Sequence, residues 1–186
     1  MRLFVAIESS EGIRASIASL LQEFRAIAPQ VKWIKPENLH ITLKFLGETD
    51  ANKLDLILDV LQGIHTARPI ILNFSGLDYF SNAKRSSILW AGIQPSPNLQ
   101  RIAQEIDLQM AKLGFPREDR AFSPHLTLAR LNKTGLPQKL VVAIEKNSSR
   151  AFGNFLANEF HLIESKLKSS GAEYTTVHSF PFVAEA

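Results

Sequence analysis

The 186-residue sequence contains no cysteine, which excludes disulfide bonds and thiolate metal sites. Long apolar runs are also lacking: the N-terminal segment MRLFVAIESSEG reaches charged residues after a few apolar ones, and no later run approaches membrane-spanning length. Neither sign of charge dominates, since 21 basic and 18 acidic side chains give a net charge of only +3. These absences predict a soluble cytoplasmic protein, with no membrane partner and no concentrated duplex-binding face.

Hydrophobic residues make up 45% of the chain, as in an ordinary globular protein, and its length suits one domain or two intimately packed halves. Some of the basic side chains could line one groove, although solvated surface positions are the simpler interpretation for most of them. The candidates are Lys32, Lys35, Lys44, Lys84, Arg85, Arg117, Arg120, Arg130 and Lys133.

The pattern His-x-Thr-Leu occurs twice, in NLHITLKF (38–45) and in SPHLTLAR (123–130). Around each copy the apolar pattern predicts the same order: strand, helix, His-x-Thr strand, helix, strand. The spacing also matches, because His40 follows Phe4 by 36 residues and His125 follows Trp90 by 35. We therefore expect a single two-lobed domain over residues 1–186, built by an internal duplication of approximately 1–85 and 86–186.

Individual elements follow from periodicity and from stop signals such as Pro29, Gly114 and Pro116. Strands are predicted at 2–8, around His40, near 69–80, at 87–94, around His125, near 159–166 and near 174–182. Helices are predicted from the apolar stripes that begin at Ile13, Leu54 and Leu99, and more weakly near 138–145. The order is that of an α+β protein.

Residues i and i+2 of a strand share a face, so His40 and Thr42 point one way and Ile41 the other; His125 and Thr127 repeat the arrangement. If an approximate twofold axis relates the halves, the two His/Thr pairs meet across a groove. One imidazole can accept a proton while the other donates one, and the hydroxyls can bind phosphate oxygens. The pairs therefore indicate a metal-independent acid–base site.

A structural role, zinc binding or a Ser-His-Asp triad would explain the two motif histidines less well than acid–base catalysis does. A single His-x-Thr in a strand would mean little, but two copies at matched places are harder to dismiss. Zinc binding lacks cysteine and a third ligand at a suitable spacing, and a Ser-His-Asp triad lacks the Gly-x-Ser-x-Gly turn. The remaining histidines have no such context and are interpreted as surface or structural residues: His65, His161 and His178.

The chain resembles the bacterial and archaeal RNA 2′,3′-cyclic phosphodiesterases, also called 2′-5′ RNA ligases, of the two-histidine phosphoesterase superfamily. The resemblance runs nearly end to end, through RLFVAIE, WIKPENLHITLKFLGE, GLDYF, ILWAGI, FSPHLTLAR and LIESKLKSSGAEYTTVHSFPF. It implies two pseudo-symmetric α+β lobes, each an antiparallel-rich sheet with outer helices, around a central V-shaped groove. The His-x-Thr motifs would lie on the inner strands of that groove.

The resemblance also implies the chemistry: metal-independent opening of a terminal 2′,3′-cyclic phosphate to leave a 2′-phosphate, with no cofactor. His40 and His125 would be the catalytic pair, with His40 as the acid and His125 as the base. Thr42 and Thr127 would bind the phosphate, and Arg130 would neutralise its developing charge. The expected partners are RNA ends that carry a cyclic phosphate, on single strands or tRNA fragments, and the expected state is a monomer.

Two details do not follow simply from strand alternation. Arg130 should fall on the face opposite His125, unless the strand bulges near Ala129 or the side chain curls round the strand end. Lys44 has the parity of the His/Thr face and could share the electrostatic role, or be an exposed lysine. Tyr79 and Phe80, beside Lys84 and Arg85, are candidates for stacking on a base, although core packing is the better interpretation for at least one of them.

Three alternatives to hydrolysis of RNA ends stay open. The same groove could join RNA ends through a 2′-5′ linkage, which is the reverse reaction. It could act on small cyclic nucleotides or on ADP-ribose cyclic phosphate. It could also bind RNA or nucleotides without turnover, although the intact motifs count against this.

Overall fold

The computed structural model of the chain describes residues 1–65, 69–80, 87–131, 136–169 and 171–182. Within these residues lie four α-helices: α1 (Glu11–Ile27), α2 (Leu54–Gln62), α3 (Pro97–Lys112) and α4 (Gln138–Lys146). Nine strands lie in the same part of the chain: β1 (Arg2–Glu8), β2 (Lys32–Trp33), β3 (His40–Glu48), β4 (Ile70–Phe80), β5 (Ser87–Ile93), β6 (His125–Leu131), β7 (Ala151–Ala157), β8 (Glu159–Lys168) and β9 (Gly171–Pro181). All four helices and seven of the strands were predicted from the sequence; β2 and β7 were not.

The helices form where the apolar spacing predicts them, and their apolar stripes are buried. In α1 the Oγ of Ser10 accepts a hydrogen bond from the backbone N–H of Ile13 at 3.3 Å, and Ser96 caps α3 in the same way, with Pro97 following. The buried stripe of α1 is Ile13, Ile17, Leu20, Leu21 and Phe24. These helices and one face of the strands share a continuous hydrophobic core.

All described strands belong to one antiparallel sheet with the order β7-β4-β5-β6-β3-β1-β8-β9, and β2 pairs with β6 off this path. The link between the two halves of the sheet is the β3–β6 ladder, which is short: among the described residues, these strands pair only through Ile41 and Leu126. On either side of this link lie four strands in matching order, β3-β1-β8-β9 and β6-β5-β4-β7. The predicted α+β fold with two similar sheet halves is confirmed.

The strand pairing does not follow the two halves of the sequence. β4 comes from the first half of the chain but pairs with β5 and β7 of the second. β8 comes from the second half but pairs with β1, where Phe4 lies opposite Ile163. Spacing along the chain reports the order of the elements and does not say which strands pair. The His40 lobe (β3-β1-β8-β9) therefore contains β8 and β9 from the second half of the chain, and the His125 lobe (β6-β5-β4-β7) contains β4 from the first. The internal duplication near residue 85 stays a prediction about the sequence.

The helices in the described part of the chain are too short or too polar to cross a membrane.

Candidate active site

The two His-x-Thr motifs meet at the link between the sheet halves. Ile41 and Leu126 lie directly opposite each other and are fully buried on the core face. Extending this antiparallel register by one residue in each direction places His40 towards Thr127, and Thr42 towards His125. These four side chains are partly exposed, so they lie together on the face opposite the core. The sheet thus brings together both motifs that the sequence singled out.

Both imidazoles are held by the same kind of hydrogen bond. Nδ1 of His40 lies 2.8 Å from the carbonyl oxygen of Asn38, and Nδ1 of His125 lies 2.7 Å from that of Ser123. A carbonyl oxygen only accepts, so each Nδ1 carries the proton and donates it. The Nε2 of each ring is therefore the nitrogen left to accept or donate a proton in the groove. Each ring can therefore act as an acid or as a base through Nε2 while Nδ1 keeps its proton.

A β-bulge follows the threonine in each motif and explains the position of Arg130. The pairing of β6 with β5 shifts between Ala129 and Thr127, and the pairing of β3 with β1 shifts between Lys44 and Thr42. Each shift inserts one extra residue, which returns the following side chains to the opposite face. Arg130 is consequently exposed on the His/Thr face, which agrees with a bulge near Ala129, one of the two explanations that the sequence left open.

The corresponding bulge in β3 makes the expectation for Lys44 wrong. Its side chain points into the core, where the ammonium donates to Asp107 Oδ1 at 2.7 Å, to the Pro116 carbonyl at 2.5 Å and to Glu118 Oε1 at 3.2 Å. Burial alone would raise the pKa of Asp107, but hydrogen bonds from Lys44 and Arg117 hold it below its usual value. Lys44 therefore stabilises the segment after α3 and takes no part in the groove.

Aromatic rings surround the imidazoles differently on the two sides. Phe4 and Tyr174 flank His40, with ring centroids 4.8 Å and 5.3 Å from it. Neither was among the residues predicted for the site. Nothing in the sequence indicated that β9, paired with β8, brings Tyr174 against Phe4 and His40. Burial raises the pKa of Tyr174, so its phenol stays protonated.

On the other side Phe80 and Trp90 pack against His125, with ring centroids 5.8 Å and 6.1 Å from it. Phe80 is exposed and stacks on Trp90, whereas Tyr79 packs against the core. The expectation that one of Tyr79 and Phe80 belongs to the core is confirmed. Lys84 and Arg85, proposed beside them, lie outside the described residues. A cleft of about 650 Å³ opens at the outer edge of β4, beside Trp90.

The environment of His40 lowers its pKa below the usual value for histidine. Burial is the largest cause, and the positive charges of Arg130 and His125 act in the same direction. The Asn38 carbonyl and the Glu8 carboxylate partly oppose the effect. The free protein therefore favours the neutral form of His40.

The remaining histidines lie on other elements, after α2 and on β8 and β9. His161 is buried and its Nδ1 lies 2.9 Å from Ser179 Oγ, in keeping with a structural role. His65 and His178 are exposed. Among the residues that the structure describes, no group of three or more His, Cys, Asp or Glu side chains could hold a metal ion.

Solved structures with this fold include a phosphoesterase that covers 97% of both chains with a TM-score of 0.78 at 25% identity. The crystal structure of TT0787 of Thermus thermophilus covers all of both chains with a TM-score of 0.83 at 27% identity. E. coli LigT complexed with 3′-AMP gives a TM-score of 0.77 at 25% identity over 97% of both chains. The fold is therefore that of a phosphoesterase class.

Sequence comparison assigns the family within this class. The model of the 2′-5′ RNA ligase superfamily matches residues 4–168, and the chain belongs to that superfamily. The RNA 2′,3′-cyclic phosphodiesterase of Methanocaldococcus jannaschii is 37% identical over 95% of this chain and 98% of its own. The RNA 2′,3′-cyclic phosphodiesterase of Archaeoglobus fulgidus is 34% identical over 97% of this chain and 99% of its own. The predicted family is confirmed.

Proposed function

We propose that this protein hydrolyses the 2′,3′-cyclic phosphate at RNA ends and leaves a 2′-phosphate, without a metal ion. The observation that carries the proposal is the pair of imidazoles on adjacent strands, each with Nδ1 bound to a carbonyl two residues earlier and Nε2 left for proton transfer. Relatives with the name RNA 2′,3′-cyclic phosphodiesterase, similar over nearly the whole chain, support the choice of substrate.

In the proposed reaction, water attacks phosphorus in line with the bond from phosphorus to O3′, which breaks as the new P–O bond forms. His125 Nε2 accepts a proton from the attacking water, and His40 Nε2 donates one to the departing O3′. The ring therefore opens to a 3′-hydroxyl and a 2′-phosphate. Thr42 and Thr127 donate hydrogen bonds to the non-bridging oxygens, and the positive charge of Arg130 stabilises the negative charge that develops on them.

His40 can act as the acid only when it is protonated, and bound substrate favours its protonation. Its pKa is lowered in the free protein, which favours the neutral form. A bound phosphate anion next to the imidazole favours the charged form and raises that pKa again. The cyclic phosphate thus helps to protonate the residue that must donate to its leaving group.

The test is turnover of a short oligoribonucleotide that ends in a 2′,3′-cyclic phosphate, with the product identified by phosphorus NMR. We expect a 2′-phosphate at every product end. Predominant 3′-phosphate would contradict the assignment of O3′ as the leaving group. Tight binding without any turnover would instead show a binding module.

A further inference from the structure

Two basic side chains face each other beside the candidate site. Lys32 lies directly opposite Arg130 in the β2–β6 ladder, and Trp33 lies opposite Ala129. Residues directly opposite in an antiparallel pair project from the same face. Ala129 is fully buried and Trp33 packs against the core, so that pair marks the core face. Lys32 and Arg130 are exposed, and they therefore project together on the His/Thr face.

This arrangement costs free energy unless an anion is bound. Like charges directly opposite in a ladder destabilise the pairing. No carboxylate of the described residues lies within 4.0 Å of either cation, as the ion pairs of this part of the chain all involve other basic groups. An anion between the two side chains would offset the repulsion.

The position of the pair relative to the motifs indicates which anion this is. Arg130 follows Thr127 by three residues, about 7–10 Å along a bulged strand. Lys32 lies on β2, which pairs with the edge of β6 that faces away from β5. Arg130 lies near enough to the motif to affect the pKa of His40. With its five N–H donors it can contact the phosphate at the threonines and a neighbouring one. Lys32 is placed for the neighbouring phosphate only.

We propose that Lys32, together with Arg130, binds the internal phosphodiester that precedes the terminal cyclic phosphate of a single-stranded RNA. The proposal rests on the proposed function, because it takes the terminal phosphate to lie at the two threonines. Its consequence is selection by chain length: an oligonucleotide uses the Lys32 contact, and a nucleoside 2′,3′-cyclic monophosphate has no group to place there.

The experiment compares Lys32→Met with the unaltered protein on two substrates that share the same terminal nucleoside. One is a trinucleotide with a 2′,3′-cyclic phosphate end, and the other is the nucleoside 2′,3′-cyclic monophosphate. We expect kcat/KM to fall about tenfold for the trinucleotide and to stay within about twofold for the mononucleotide. The salt dependence for the trinucleotide should weaken by about 0.7 in the log–log slope, which corresponds to one lost phosphate contact.

The matched control is Lys139→Met, which removes an exposed lysine from α4 and should leave kcat/KM unchanged for both substrates. Equal losses on both substrates, or no loss on the trinucleotide, would overturn the Lys32 proposal. The affinity of the same variants for a trinucleotide with a 2′-phosphate end, and for the corresponding 2′-nucleotide, is measured in parallel. If the unaltered protein turned over neither substrate, the proposed function would fail, and the binding data would still decide the role of Lys32.

Discussion

Glu8 lies directly opposite His40 in the β1–β3 ladder, whereas Gly92 occupies the corresponding place opposite His125. The carboxylate of Glu8 accepts a hydrogen bond from Thr176 Oγ1 at 3.0 Å and raises the pKa of His40 against the larger effect of burial. The sheet halves are similar in strand order, but the residue opposite the motif histidine carries a carboxylate in the first half and no side chain in the second. The surroundings of the two imidazoles therefore differ on the side of the strand that pairs with each motif.

Changing Glu8 to Gln should lower the pKa of His40 further. Loss of the negative charge disfavours the imidazolium, so protonation of His40 needs a lower pH. The limb of the kcat/KM profile that reports His40 should therefore move to lower pH. NMR titration of the His40 ring measures the same shift without relying on turnover. Glu145→Gln on α4 is the control, and a shift towards higher pH for Glu8→Gln would contradict the role of that carboxylate.

Removal of either histidine should lower turnover by about 10²–10⁴-fold, since each ring has its own proton transfer. His40→Ala and His125→Ala should remain folded, because both side chains lie off the core face; circular dichroism and thermal unfolding check this. Near-full activity in either folded variant would exclude the two-histidine mechanism.

A substrate with sulfur in place of O3′ separates the roles of the two rings. A thiolate leaving group needs little protonation, so this substrate should restore turnover to the variant that lacks the acid, which we assign as His40→Ala. The variant that lacks the base should stay slow. Rescue of His125→Ala instead would reverse the assignment.

Exhaustive chelation should leave hydrolysis unchanged, because the proposed proton transfers use only imidazoles. The assay compares turnover before and after treatment with EDTA and dialysis. A loss of activity that zinc or manganese restores would show that the histidines act as metal ligands.

Replacing Lys44 by Met should destabilise the fold by about 3–5 kcal/mol, because it removes the buried cation that pairs with Asp107. Urea unfolding measures the loss, and Lys112→Met, which changes an exposed lysine of α3, serves as the control. The folded fraction of Lys44→Met should keep its kcat/KM, since this side chain faces away from the histidines. A large loss of kcat/KM at unchanged stability would place Lys44 in the groove after all.

The position of Lys44 shows where sequence reasoning stops. Alternation predicted the faces of His40 and Thr42 correctly, because no irregularity separates them. It failed two residues later, since a bulge reverses the faces and leaves no local signature in ITLKF. In the second motif the phosphate role that the family resemblance implies for Arg130 conflicted with alternation, so a bulge near Ala129 could be named there as one of two explanations.

The missed strand β7 has a different cause. Its sequence AFGNFLA contains Gly153 at a φ of 110° and polar Asn154, so neither composition nor alternation is typical of a strand. It forms because β4 provides a ladder for it, from Ile70 opposite Ala157 to Ser75 opposite Ala151. Such tertiary pairing, like the place of Tyr174 beside His40, cannot be read from local pattern.

The exchange of β4 and β8 between the halves determines the order in which the lobes can be completed during synthesis. Proteins emerge from the ribosome N-terminus first, and neither lobe of the sheet is complete until its last strand has emerged. The His40 lobe needs β8 and β9, which end at Pro181, whereas the strands of the His125 lobe are complete at Ala157. The motif that is translated first therefore belongs to the lobe that is finished last.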